Sequence, residues 1–230
     1  MKVSNLSWKI GGEAGFGILS TGKIFSKIFA KKGYFVIDNN EYSSLIRGGH
    51  NTYTTRVSSN EIFSTNKNIN ILAALDEETI RLHQEEVTYG GYIVYDEDDC
   101  NIGDYKKARK DINYIMVPFS KIISELGAPK IMVNNILLGA SVALINYDLE
   151  ILKNVIKDIF GRKGSEIVNL NIKSSELGYK YIKEKLKINI YELEIVKPVS
   201  KMLVTGNDAV FLAAVKSGCN FYAACRMTPS

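Results

Sequence analysis

Three near-continuous apolar runs, Ile69–Leu75 (INILAAL), Tyr92–Tyr95 (YIVY) and Ile112–Val117 (INYIMV), constrain the fold of this chain most. Side chains on a strand alternate between its two faces, so a run without polar interruption has to be buried on both. Strands of that kind need helices above and below their sheet. The segment Asp76–Val87, between the first two runs, has the length and polarity of such a crossover helix.

Upstream, Trp8–Ile10 enters a glycine-rich turn, after which Ile18, Gly22, Phe25 and Phe29 recur at helical spacing. Lys31-Lys32-Gly33 supplies the stop signal: cations in the last turn and a glycine after it. Tyr34–Ile37 is a further short apolar run, so this region reads as β–α–β. Thr52–Val57 and Ile62–Ser64 flank Ser58-Ser59-Asn60-Glu61 as the arms of a hairpin would. Downstream, Asn134–Asn146 (NNILLGASVALIN) is apolar almost all round and reads as a buried helix. Asp148 is placed to cap the next helix, which turns Leu149, Leu152, Ile156, Ile159 and Phe160 inward, and another helix is expected from about Lys173 to Lys187.

The predicted architecture is a three-layer α/β/α sandwich, Rossmann-like, whose sheet is mixed but mostly parallel. Residues 1–187 form this domain, residues 188–204 with Pro198 read as a linker, and residues 205–230 begin a second domain too short to make a core.

Composition narrows the function classes. Of 230 residues, 46% are hydrophobic and 23% charged, an ordinary soluble balance, and the net charge of +4 is spread along the helices, so no nucleic-acid partner is expected. MKVSNLSWKI lacks the apolar core of a signal peptide, and no stretch reaches the roughly 18 apolar residues of a membrane span. The expectation is a cytoplasmic protein without membrane contact. The three cysteines, Cys100, Cys219 and Cys225, contain no C-x-x-C, which argues against a zinc site or an iron–sulfur cluster carried by this chain alone.

Ile10–Leu19 (IGGEAGFGIL) packs four glycines into the entry to the first helix. From Gly15 it imitates a dinucleotide fingerprint, with Ser20 at the third position and Asp38 where a ribose ligand would lie. The third glycine is missing, however, and no Gly-Lys-Ser/Thr follows to make a P-loop. A glycine turn feeding a helix can offer several N–H groups to phosphate or carboxylate oxygens. Alternatively, Gly11, Gly12, Gly15 and Gly17 satisfy positive φ angles and close packing, and spacing alone leaves both readings open. Within NEYSSLIRGGHNTYTTR, Arg47 before Gly48-Gly49 suits a substrate-facing loop in which a guanidinium clamps an oxyanion; the plainer alternative is an exposed turn arginine. His50 reads as an ordinary turn residue.

Together these segments resemble the γ component of the 2-oxoacid:ferredoxin oxidoreductases, the pyruvate and 2-oxoglutarate ferredoxin oxidoreductase family. The resemblance is carried by GGEAGFGI at Gly11–Ile18 with Gly22, SSLIRGGHNTYTTRVSS at Ser43–Ser59, VNNILLGA at Val133–Ala140 and VNLNIKSSELGY at Val168–Tyr179. Arginine–glycine–glycine followed by the R-V-S strand is the most specific piece. The tail, TGNDAVFLAAVKSGCNFYAACRMTPS, looks like the opening of the same family's α component, to which γ is fused in many members.

The resemblance implies oxidative decarboxylation of a 2-oxoacid on Mg2+-bound thiamine diphosphate, electron transfer through iron–sulfur clusters to ferredoxin, and acyl transfer to coenzyme A. It implies α and β partner components that hold the thiamine diphosphate and the clusters, and an isolated chain without activity. Gly11, Gly12, Gly15, Gly17, Arg47, Gly48 and Gly49 are then the set facing coenzyme A. The threonine of the family's α loop lies at the thiamine diphosphate site, a role that falls on Thr228. Where that loop has tyrosine–proline–isoleucine, this chain has Cys225-Arg226-Met227. The added charge of Arg226 leaves the choice among pyruvate, 2-oxoglutarate and branched-chain acids open. Two other classes of function compete: a free-standing NAD- or flavin-binding Rossmann domain resting on Gly15, Gly17 and Asp38, and a non-catalytic module that buttresses the complex.

Overall fold

The architecture is that of a computed structural model, which describes residues 1–43, 48–186, 191–199 and 201–223. Two short strands, β1 (Lys2–Val3) and later β8 (Glu192–Leu193), pair in parallel at one end of the molecule. The main sheet is built on β2 (Asn5–Glu13), β3 (Phe35–Glu41), β4 (His50–Ser58), β5 (Ile69–Ala74), β6 (Val87–Tyr95) and β7 (Asn113–Met116), in the order β3-β4-β2-β5-β6-β7. β4 runs antiparallel to both of its neighbours, while β2, β5, β6 and β7 pair in parallel. The mixed, mostly parallel sheet expected from the apolar runs is present.

Helices cover both faces. α1 (Ile18–Ala30), α4 (Phe119–Leu126), α5 (Val133–Leu144), α6 (Leu149–Phe160) and α7 (Ser165–Lys180) lie over one core, and α2 (Glu77–His83) and α3 (Gly103–Ala108) over the other. β2 shows why two cores form. Trp8 and Ile10 point to the α1 side, where Trp8 stacks on Phe25 at 4.1 Å, and the intervening Lys9 points to the α2 side. α1 closes on the sheet at Gly22, where a Cβ would fall 2.1 Å from the Tyr53 ring. Every residue of α5 is buried, as its all-round apolar sequence requires. Asp148 accepts a hydrogen bond from the Glu150 N–H and caps α6.

Three sequence-based expectations change. Ile62–Ser64 forms no strand, because both edges of β4 are already occupied by β2 and β3 and no edge is left for a hairpin arm. α7 starts at Ser165, eight residues before the predicted Lys173, and continues as a π-helical turn over Tyr181–Leu186. Its first half buries Val168 and the polar Asn171 alone, too few apolar positions to show the helical period. Part of the expected linker also belongs to the first core: Tyr191 and Leu193 are buried in it, Tyr34 Oη donates to the Glu194 carbonyl, and Lys201 N–H donates to the Ala30 carbonyl. α8 (Gly206–Lys216) follows, opened by a reciprocal Thr205/Asp208 capping box, and none of its residues is buried.

Candidate functional site

Gly11 and Gly12 are not in a loop. They are the seventh and eighth residues of β2, buried between β4 and β5, with Gly11 opposite Thr52 on one side and Ala74 on the other. A Cβ on Gly11 would meet Thr79 at 2.6 Å, and one on Gly12 would meet Leu75 at 2.9 Å. The strand needs glycine there so that α2 and the end of β5 can approach. This placement accounts for the two glycines by packing.

The turn proper is Ala14–Gly17. Gly15 has φ 101° and Gly17 φ 73°, left-handed values that suit glycine, and Gly17 is the N-cap of α1. No side chain caps that helix and its first turn holds no acidic residue, so the N–H groups of Ile18, Leu19 and Ser20 form an unopposed positive end. Ile18 and Leu19, with the glycines before them, border a cleft of about 440 Å³. Gly15, Gly17, Ile18 and Leu19 make one wall; Asn40-Glu41-Tyr42 and Asn51-Thr52, from the ends of β3 and β4, make the other. Glu41 is the one carboxylate in this lining. Its oxygens are engaged by Thr52 Oγ1 at 3.2 Å and Asn39 Nδ2 at 3.5 Å.

Two sets of contacts hold the turn. Gly48 and Gly49, at φ 72° and 89°, immediately precede β4, and Gly49 braces the turn: the Ala14 N–H donates to the Gly49 carbonyl at 3.0 Å. On the other side, Asn134 Nδ2 donates to the Phe16 carbonyl at 2.8 Å. Asn134 is itself held by Asn135 Nδ2 (2.9 Å), which also reaches Asn171 Oδ1 at 3.0 Å. These three asparagines are 5%, 4% and 3% exposed, so each amide needs its partner, and together they lock the start of α5 to α7 and to the turn. The VNN and VNLN segments carry the family resemblance, but their spacing alone does not reveal this task. The signal was there, in paired amides at the head of an otherwise apolar helix.

Arg47 and Thr228, with Arg226 and Cys225, lie outside the described residues. Asp38 lies on β3, across from Thr55, and β4 separates that strand from the glycine strand. Its Oδ2 is buried without a partner among the described residues, and burial together with Asp38 raises the Tyr53 hydroxyl. The Rossmann arrangement, with the acidic strand beside the glycine strand, is therefore absent. His50 is not a turn residue either: it is the first residue of β4 and contacts His83. No group of three or more His, Cys, Asp or Glu that could hold a metal ion occurs among the described residues. The cleft thus offers backbone and amide donors suited to binding an anionic, hydrogen-bonding ligand.

Residues 7–181 match the pyruvate ferredoxin/flavodoxin oxidoreductase (POR) family. The chain belongs to this family. Among curated relatives, this POR-family chain is 25% identical to subunit alpha of 2-oxoacid:ferredoxin oxidoreductase 2 from Aeropyrum pernix, an alignment that covers 98% of the chain and 41% of the relative. It is 27% identical to 2-oxoglutarate synthase subunit KorC from Archaeoglobus fulgidus, over 83% of the chain and 94% of the relative. The chain thus spans less than half of the alpha subunit and nearly all of KorC. Among solved structures, the 2-oxoglutarate:ferredoxin oxidoreductase of Magnetococcus marinus, determined with 2-oxoglutarate, coenzyme A and succinyl-CoA bound, superposes with a TM-score of 0.84 at 25% identity, covering 94% of this chain and 38% of that one. The γ subunit of a keto/oxoacid ferredoxin oxidoreductase from Geobacter sulfurreducens shares the fold at TM-score 0.63 and 20% identity, over 77% of this chain and 96% of that one.

Proposed function

We propose that this chain supplies the γ domain and the first part of the α component of a 2-oxoacid:ferredoxin oxidoreductase, and that its cleft at the glycine turn holds part of coenzyme A. The complex would convert a 2-oxoacid, coenzyme A and oxidised ferredoxin to acyl-CoA, CO2 and reduced ferredoxin. The observation that carries the cleft assignment is the uncapped α1 N-terminus beside Gly15 and Gly17, opening on a pocket bordered by amide and hydroxyl groups. Coenzyme A is anionic through its phosphates and rich in amide and hydroxyl partners. The Magnetococcus relative, solved with coenzyme A bound, supports the choice.

Thiamine diphosphate, when bound in the complex, supplies the electron sink for decarboxylation. Its Mg2+ and diphosphate site belongs, in this reading, to the α and β components. The domain's own task is to bind, orient and shield: the N–H groups of Gly15, Gly17 and the start of α1 donate to ligand oxygens, Gly48 and Gly49 support the turn, and Arg47 clamps an oxyanion. The proposed division is residues 1–187 as γ domain, 188–204 as a connection whose Tyr191 and Leu193 pack on the γ core, and 205–230 as the opening of α, with Thr228 at the cofactor loop, ferredoxin as electron acceptor and the cytoplasm as location.

Coenzyme A titrated into the full chain tests the cleft. Binding to the unaltered protein, weakened about tenfold by Arg47→Ala, is expected, since a charge-assisted bond is worth roughly 1.5–3 kcal/mol. Equal affinity in both proteins removes Arg47 from the site.

A further inference from the structure

The chain has two histidines, and they meet under the glycine turn. His50 Nε2 lies 3.0 Å from His83 Nε2, with the rings 5.1 Å apart and 28° from parallel. His83 Nδ1 lies 2.9 Å from Glu86 Oε1, and Lys9 Nζ donates to Glu86 Oε2 at 2.5 Å. Lys9 is only 6% exposed, a buried cation that requires its carboxylate. Four side chains from β2, β4, α2 and the turn after α2 thus form one connected line.

The line has a proton order. His83 Nδ1 faces two groups, the Glu86 carboxylate at 2.9 Å and Lys9 Nζ at 3.4 Å; the carboxylate, paired with lysine, only accepts and is the nearer, which puts the His83 proton on Nδ1. The neutral ring then has a lone pair on Nε2, which accepts from His50 Nε2–H. That leaves the His50 lone pair on Nδ1, an atom that is buried and has no partner among the described residues. His50 is directly opposite Glu13 and adjoins Gly49, whose carbonyl receives the Ala14 N–H and closes the glycine turn.

We infer that Lys9, Glu86 and His83 are positioning residues: by dictating the tautomer of His50 they hold the start of β4, and with it Gly49, where the glycine turn can close against it. Protonation of His50 would place a new N–H at Nδ1, buried and without an acceptor, and would add charge near Lys9. The surroundings disfavour that. Burial first, then repulsion from the His83 ring whenever it is charged, hold His50 below the usual histidine range; Lys9 acts in the same sense, and Asp76 and Glu78 act against it. Burial pushes the Glu86 carboxyl up, but hydrogen bonds and charge from His83 and Lys9 outweigh it and keep it below the usual range. The glycine turn is consequently a pH-dependent structure, loosened on the acid side. Its effect on ligand affinity rests on the coenzyme A reading; its effect on the turn does not.

Ring-nitrogen NMR and amide hydrogen exchange on the full chain test this. Near neutral pH, His83 should be in the Nδ1–H form and His50 in the Nε2–H form. As His50 takes its second proton below pH 6.5, exchange of the Ala14 amide, corrected for its intrinsic pH dependence, should accelerate about fivefold or more. In Glu86→Gln and in His83→Phe, which keeps a ring in place, Ala14 should already exchange faster near neutral pH and lose that step. An Nδ1–H tautomer at His50, or Ala14 exchange that ignores the His50 titration, would overturn the proposal, and the unaltered protein alone decides this if a variant fails to fold. Coenzyme A affinity is read in parallel and should fall along the same titration. Absence of binding at every pH would count against the cleft reading, with Ala14 exchange still deciding the proton line.

Discussion

Gly17 and Gly15 look alike in sequence and differ in what surrounds them. Both have positive φ, but a Cβ on Gly17 would fall 2.5 Å from Asn134 Nδ2, whereas one on Gly15 would meet nothing within 4 Å. Gly17→Ala therefore carries a left-handed backbone penalty of about 1–2 kcal/mol and also displaces the amide that pins the turn. Gly15→Ala carries the backbone penalty alone. Urea denaturation should rank Gly17→Ala as the more destabilising, and it should also weaken coenzyme A binding more. His50 sets a second residue-level expectation. A histidine held below its unfolded value costs nothing above pH 6.5, and stability is lost as the pH falls from 6.5 through the lower folded value. Denaturation midpoints should drop across that window, and His50→Gln should flatten the drop. The glycines were legible in the sequence. Their division into packing residues and turn residues was not, because it depends on where β2 ends, three residues beyond the apolar run that signals it.

At the level of elements, the contact between α5 and α7 governs whether the site is held. A Cβ on Gly139 would fall 1.9 Å from the Ser175 carbonyl oxygen, and one on Gly178 would fall 2.0 Å from that of Ile136. These obstacles are backbone, so neither helix can yield by a rotamer change. Gly139→Ala or Gly178→Ala should destabilise by roughly 3 kcal/mol and, by separating the helices, disturb the Asn134–Asn135–Asn171 lock. A double-mutant comparison with Asn135→Ala checks the coupling: strongly non-additive losses are expected. Helices α5 and α6 were legible because one is apolar all round and the other is cleanly amphipathic. The hairpin was misread because a strand pattern reports a face and not its neighbours, and β4 spends both edges on β2 and β3.

Across the whole molecule, the chain divides by burial at a different place from the change in composition. Tyr191 and Leu193 are core residues, and the strand containing Leu193 pairs with the N-terminus, so a chain ending at residue 187 would leave β1 without its partner. A chain of residues 1–204 should melt close to the full chain, and one of residues 1–187 well below it, since losing a buried leucine alone costs about 2–5 kcal/mol. In α8 and after it, Val210 (71%), Phe211 (65%) and Phe221 (84%) stand exposed and line an apolar groove of about 560 Å³. Sedimentation should show the full chain self-associating and residues 1–204 monomeric. What the sequence determined by itself was the layered α/β class, the buried helix and the family, since periodicity and motif order are properties of local spacing. Only the tertiary structure decided which glycines pack and which turn, where Asp38 stands relative to the glycine strand, and that Lys9, His50, His83 and Glu86 form one line. These depend on which strands become neighbours, and strand order is chosen by long-range burial that no local pattern encodes.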